Sequence, residues 1–126
     1  MSSTAKKVLV VEDNLMNMEL ASELLTSAGI EVLQAPVAER GMEIAREEAP
    51  DLILMDVQLP GMDGLTAIRH LKRSEETRGI PIVVLSAHAM RRHAEEARDA
   101  GAVGYIAKPI DTRSFVTRVL SHLPQS

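Results

Sequence analysis

The segment Asp51-Leu52-Ile53-Leu54-Met55-Asp56-Val57-Gln58-Leu59-Pro60-Gly61-Met62-Asp63-Gly64 decides how this chain is read. Four apolar residues, Leu52 to Met55, run into a carboxylate, Asp56, and a turn-rich segment with Pro60, Gly61 and Gly64 follows at once. A short continuous apolar run predicts a strand buried on both faces. In an open parallel sheet, ligands gather beyond the carboxyl ends of the strands. Asp56 is therefore expected at such an end, anchored by a strand and reachable through a loop.

The same pattern recurs on either side. Upstream, Val8–Val11 predicts a first strand ended by Glu12-Asp13-Asn14. Asn14 or Asp13 then caps a helix reaching about Ala28, with Met18, Ala21, Leu24, Leu25 and Ala28 at helical spacing and Gly29 as its stop. Ile30–Ala35 predicts a second strand, and Pro36 separates it from a helix over Val37–Glu48 that carries Gly41 inside it. The third strand is Asp51–Asp56. Downstream, a helix from Gly64 turns Leu65, Ile68 and Leu71 inward and ends in the charged segment Lys72–Arg78. Ile82–Leu85 predicts a fourth strand ending in Ser86-Ala87, and His88–Ala100 a helix with Met90, Ala94 and Ala97 on one face. Val103–Ala107 predicts a fifth strand ending in Lys108-Pro109. The last helix, Asp111–Leu123, buries Phe115, Val116, Val119, Leu120 and Leu123. Five strands alternating with five helices over short connections predict an α/β fold, a parallel sheet with helices on both faces.

Length and composition narrow the function. The 126 residues suit one domain, 1–126, with its core over about 7–123. A net charge of -4 and 2% aromatic residues leave neither a phosphate footprint nor rings for base stacking, so no nucleic-acid partner is expected. No cysteine is present, which excludes disulfides, thiolate metal sites and a cysteine nucleophile. No signal core precedes the first strand, and no apolar run approaches the ~18 residues that span a bilayer. A cytoplasmic protein without a membrane partner is expected.

Polar groups follow four of the five predicted strands: Glu12 and Asp13, Asp56, Ser86, and Lys108. Each has an ordinary explanation alone, as a turn former, a helix cap or a solvated lysine. A doubly wound sheet sets these ends side by side, so that three carboxylates, a hydroxyl and an ammonium meet. Carboxylates so gathered raise one another's pKa unless a cation intervenes. A hard cation with oxygen ligands, Mg²⁺, fits this set and binds by one or two carboxylates with waters and a phosphate. Asp56 then serves as a nucleophile forming an aspartyl-phosphate. Mg²⁺, Ser86 and Lys108 stabilise the phosphoryl oxygens, which is most of what phosphoryl transfer needs.

Val-Leu-Val-Val-Glu12-Asp13-Asn14, the segment Asp51–Gly64, Ile82-Val-Val-Leu-Ser86-Ala87 and Tyr105-Ile-Ala-Lys108-Pro109, in this order and spacing, resemble the receiver domain of bacterial two-component response regulators. The resemblance covers about Lys7 to Leu123. It implies a flavodoxin-like (βα)5 fold with strand order 2-1-3-4-5. It implies Asp56 as acceptor of a phosphoryl group from a histidine kinase or a histidine phosphotransfer protein. It implies Glu12 and Asp13 as the acidic pair holding Mg²⁺, Glu12 partly through water, with the Gln58 backbone carbonyl as a further ligand. By the same resemblance Ser86 is the switch hydroxyl, Tyr105 the aromatic that moves with it, and Pro109 a cis proline after Lys108. Gln58 and His88 flank the site and tune dephosphorylation, unless His88 is merely an exposed residue of a first helical turn. Ser stands where Thr is commoner in the family.

Output in this family runs through the fourth helix, fifth strand and fifth helix. That face offers Arg91, Arg92, His93, Arg98, Arg113 and Arg118, either a solvated basic surface or a dock for an acidic protein. Leu15 and Met16 resemble the family's patch for the kinase or phosphotransfer helix, unless they belong to the core. The length leads us to expect a stand-alone receiver that signals by protein–protein contact. Val-Glu-Asp-Asn with Ala-His-Ala-Met90 is similar to the single-domain regulators of cell-cycle signalling, and the signature also occurs in receivers attached to hybrid kinases. The rival readings are a phosphate-independent adaptor, a flavin domain of the same topology, and an aspartyl-phosphate phosphatase. Glu12 and Asp13 would repel the flavin phosphate. Gln58 stands where the phosphatase needs an acid.

Overall fold

The computed structural model describes residues 6–59, 61–86 and 91–124, the side chains of residues 91–93 excepted. Pro60, His88, Met90 and the side chains of Arg91, Arg92 and His93, singled out above, lie outside the described residues.

Ten elements alternate along the chain: β1 (Lys7–Val11), α1 (Leu15–Ser27), β2 (Glu31–Ala35), α2 (Ala38–Glu48), β3 (Leu52–Asp56), α3 (Gly64–Arg73), β4 (Ile82–Ser86), α4 (Arg91–Ala100), β5 (Gly104–Ala107) and α5 (Phe115–His122). The strands form one parallel sheet in the order β2-β1-β3-β4-β5. The fold is the expected doubly wound one.

Strand alternation sends successive residues to opposite faces. Leu9, Val11, Ile53, Met55, Ile82 and Val84 pack against Ile44 of α2, Ala67 and Ile68 of α3 and Ala97 of α4. Val8, Val10, Leu52, Leu54, Val83 and Leu85 pack against Met18 and Leu25 of α1 and Phe115 and Val119 of α5. Two cores therefore sandwich the sheet, and β3, at its centre, is buried at all five positions. Burying each such side chain contributes about 1.5–3 kcal/mol, which is why the third strand reads as an uninterrupted apolar run.

The helix ends follow local chemistry. Asn14 caps α1, its Oδ1 accepting from the Asn17 amide at 3.0 Å, which decides between the two expected caps. Asp63 caps α3 through the Thr66 amide at 2.9 Å. Gly29, at φ +84°, takes the left-handed turn after α1, where L-residues with a Cβ are disfavoured.

Four expectations are corrected. The last helix begins at Phe115, not Asp111, because the Asp111 carboxylate and carbonyl accept from the amides of Arg113, Ser114 and Phe115 and close a separate turn. Leu120 is 46% exposed: the buried stripe of α5 is Phe115, Val119 and Leu123, and Leu120 lies one residue off it. Ala28 is an exposed cap, not part of the inner face. Val103 precedes β5 and is exposed, although its amide still donates to the Ile82 carbonyl at 2.8 Å. Leu15 and Met16 are 71% and 79% exposed, so neither belongs to the core.

Gly41 lets α2 lie close on β1. A Cβ there would stand 2.7 Å from a Val11 methyl. Alanine favours a helix over glycine by about 1 kcal/mol, but overpacking costs about 1–3 kcal/mol. Gly41→Ala is thus expected to lower stability by roughly 1 kcal/mol in urea unfolding; a raised midpoint would mean that Val11 yields without cost.

Candidate functional site

The parallel register brings the strand ends together. Val11 pairs with Met55 and Asp56 with Leu85, so Glu12, one residue past β1, stands beside the end of β3. Ser86 pairs with Ala107, and the Lys108 amide donates to the Ser86 carbonyl at 2.7 Å. Glu12, Asp56 and Lys108 continue the alternation of Val10, Leu54 and Ile106, all three on the α1/α5 side. Ser86 continues that of Val84, toward the other face.

Lys108 Nζ lies 2.6 Å from Glu12 Oε1 and 3.0 Å from Asp56 Oδ2. Both carboxylates are 2% exposed. Asp56 Oδ1 accepts from the Gln58 amide at 2.8 Å, which folds the chain back over the acid just after the strand. Glu12 Oε2 accepts from the Asn14 amide at 3.1 Å, while Oε1, despite its ion pair, makes no well-directed hydrogen bond among the described residues. Asp13 is exposed beside them, and oxygens of Glu12, Asp13 and Asp56 all lie within 4.8 Å of one another.

Electrostatics follow from this crowding. Burial pushes the Glu12 carboxyl up; the Lys108 ammonium and the Asn14 amide oppose that, Asp56 reinforces it, and the balance stays upward. Burial pulls Lys108 down, but its pairing with the Glu12 and Asp56 carboxylates outweighs this and holds it above its usual value. Three carboxylates against one ammonium leave an excess of negative charge, and every donor on the cluster is a hard oxygen. That set fits Mg²⁺.

The other expected residues fall around this centre. Ser86 is buried at the end of β4 and, with Val57, Gln58 and Arg69, lines a groove of about 530 Å³. Gln58 is exposed. Tyr105 sits half-buried on β5, paired in register with Val84, two residues before Ser86. The Lys108–Pro109 peptide is cis, as the resemblance implies. Gly64, which closes the segment Asp51–Gly64 and starts α3, is buried with its backbone against that of Asp56 and Val57, a close approach that the sequence does not show.

Residues 8–120 match the family model described as the response regulator receiver domain. The polar-differentiation response regulator DivK of Brucella ovis is 41% identical over 118 residues, which cover 94% of this chain and 96% of that protein. A response regulator structure from Chloroflexus aurantiacus J-10-fl superposes with a TM-score of 0.91 at 30% identity, covering 97% of this chain and all of that one. The receiver domain of the sensor histidine kinase PA1611 from Pseudomonas aeruginosa PAO1, solved with a magnesium ion in its active site cleft, gives 0.85 at 32% identity, covering 95% and 98%. No helix among the described residues is long and apolar enough to cross a membrane. Fold, sequence and the acidic cluster agree: the chain belongs to the receiver domains of two-component response regulators.

Proposed function

We propose that this receiver is switched by phosphorylation of Asp56. The observation that carries the proposal is the Asp56 carboxylate itself, buried at the end of the central strand, bonded to Lys108 and within 4.8 Å of two further carboxylates. The donor is a phosphohistidine on a histidine kinase or phosphotransfer protein. An Asp56 oxygen attacks phosphorus, the P–O bond forms as the P–N bond breaks, and the electron pair leaves with the imidazole, which takes up a proton from solvent. Asp13, Asp56 and the Gln58 carbonyl would hold Mg²⁺, with Glu12 acting partly through water, and the ion would offset the charge of the phosphoryl oxygens.

The Lys108 ammonium turns from the carboxylates to a phosphoryl oxygen, and the Ser86 hydroxyl donates to another. Tyr105 moves with Ser86 and carries the change to the surface of α4, β5 and α5. A phosphoryl group shifts the two populations only through such differential contacts. Gln58, exposed two residues past Asp56, tunes how water reaches the acyl phosphate, a role the resemblance also implies for His88. Leu15 and Met16, exposed beside the acidic cluster, meet the donor's helix. Arg98, Arg113 and Arg118, with exposed Val103 and Leu120, face an acidic downstream protein. The match covers 96% of the Brucella relative, a response regulator with little beyond the receiver, which supports the reading of output by contact with other proteins. The relay is a cytoplasmic one, as is general for the family.

The test is intact mass after incubation with acetyl phosphate. Wild type is expected to gain one phosphoryl mass with Mg²⁺ and none in EDTA; no gain with Mg²⁺ would sink the proposal. Metal binding has its own readout. At a hundredfold excess over its dissociation constant, Mg²⁺ is expected to stabilise the protein by about 2.7 kcal/mol, a rise in melting temperature of roughly 5–10 °C. Asp13→Ala, at an exposed position, should melt as wild type does without metal and lose most of that rise. Absence of a Mg²⁺-dependent rise in wild type would remove the metal site.

A further inference from the structure

Seven glycines occur in the chain, and only at Gly64 would an added side chain run into main chain among the described residues. An ideal Cβ there overlaps the Asp56 carbonyl oxygen and lies 2.8 Å from Val57 Cα and 3.0 Å from the Asp56 carbonyl carbon. At Gly41, Gly101 and Gly104 the tight neighbour is a side chain, of Val11, Lys72 or His122. Side chains rotate away; the peptide joining Asp56 to Val57 does not. On its other side that peptide is tied to β4, where the Val57 amide donates to the Leu85 carbonyl at 3.3 Å. The start of α3 cannot retreat easily either, since Ala67, Ile68 and Leu71 anchor it in the core and Asp63 caps it.

The peptide so clamped lies between two groups of the site. The Asp56 carboxylate is on one end and the Gln58 backbone is one residue past the other, joined to each other by the bond from the Gln58 amide to Asp56 Oδ1. We propose that Gly64 is a positioning residue for phosphorylation. Its bare Cα is the stop against which the Asp56–Val57 peptide rests, and this sets where the acceptor carboxylate and the Gln58 carbonyl stand relative to Lys108 and the acidic pair. The inference rests on the function proposed above and adds a residue that touches neither donor nor metal. Carbon atoms in contact sit about 3.5–4.0 Å apart, so a methyl at position 64 must displace the peptide by about 1 Å. A misplacement of that size is enough to cost about 10²-fold in rate.

Gly41→Ala is the control, since it crowds a side chain of the same core, that of Val11, and not the Asp56–Val57 peptide. Wild type, Gly64→Ala and Gly41→Ala are compared in urea stability, in labelling by acetyl phosphate over a series of Mg²⁺ concentrations, and in the position of the Gln58 amide resonance without metal or donor. Gly64→Ala is expected to label about 10–100-fold more slowly, to need more Mg²⁺ and to show a displaced Gln58 resonance. Gly41→Ala should label within about threefold of wild type at a similar loss of stability. Wild-type labelling by Gly64→Ala, or an equal slowing in Gly41→Ala, overturns the proposal.

Should Gly64→Ala fail to fold by circular dichroism, Asp63→Ala takes its place. It removes the acceptor of the Thr66 amide, loosens the first turn of α3 and should slow labelling several-fold; no slowing overturns the proposal. If wild type itself is not labelled, the phosphoryl function fails, and the metal-free Gln58 resonance still decides whether Gly64 positions the peptide.

Discussion

Asp56→Asn is expected to take up no phosphoryl group from acetyl phosphate and to keep the wild-type fold. The amide oxygen is not a nucleophile at neutral pH, whereas the carboxylate is the only member of the cluster held at the end of the central strand. Asparagine has nearly the same shape and retains one acceptor, enough for the Gln58 amide that now bonds Oδ1. It gives up the 3.0 Å bond to Lys108 but also removes a like charge from beside Glu12, and Lys108 keeps Glu12 at 2.6 Å. These contributions oppose one another, so metal-free stability should stay within about 1 kcal/mol of wild type. Intact mass and urea unfolding read the two halves separately. Labelling of the variant at the wild-type level would move the acceptor elsewhere; an unfolded variant would show that Asp56 is needed for the fold itself.

Lys108→Ala should do what Asp56→Asn does not: weaken the protein and slow its phosphorylation together. Glu12 and Asp56 would remain buried with no ammonium between them. Removing one member of a buried ion pair costs about 3–5 kcal/mol, against a total stability of about 5–15 kcal/mol. The loss is moderated by protonation, because burial already holds the Glu12 carboxyl above its ordinary value of 4.5. The sign follows from linkage. A carboxyl whose folded pKa is raised contributes stability below its unfolded pKa and loses it as pH rises through the folded value. The deficit of Lys108→Ala, measured in EDTA, should therefore be smallest below pH 4.5, the ordinary value, and grow as pH rises above it. A deficit that shrinks with rising pH would contradict the crowded-carboxylate account. With Mg²⁺ the variant should recover part of its stability, since the metal restores positive charge. Its labelling rate should still fall about 10²–10³-fold, the usual effect of losing one fixed group that meets developing charge.

Both predictions depend on how close three strand ends come, and the sequence carried much of that. The apolar run Leu52–Met55 marked a doubly buried strand, and strict alternation of strands and helices required a parallel, doubly wound sheet. The polar residues just past Val11, Met55, Leu85 and Ala107 then had to gather on one edge. Errors came where neighbouring side chains, not periodicity, set the outcome. Asp111 closed a turn of its own and delayed α5, and Leu120 fell beside the apolar stripe although its residue type suits a core.

Residue order alone determined the fold class, the edge on which the site lies and the kinds of group in it, because hydrophobic periodicity and strand ends are local properties of the chain. Only the tertiary structure decided that Lys108 bridges Glu12 and Asp56 across separations of 96 and 52 residues, and that Leu15 and Met16 face solvent. It alone also showed the bare Cα of Gly64 against the backbone of Asp56. These are distances between residues remote in sequence or matters of steric fit, and they exist only once the sheet register and helix packing have set them.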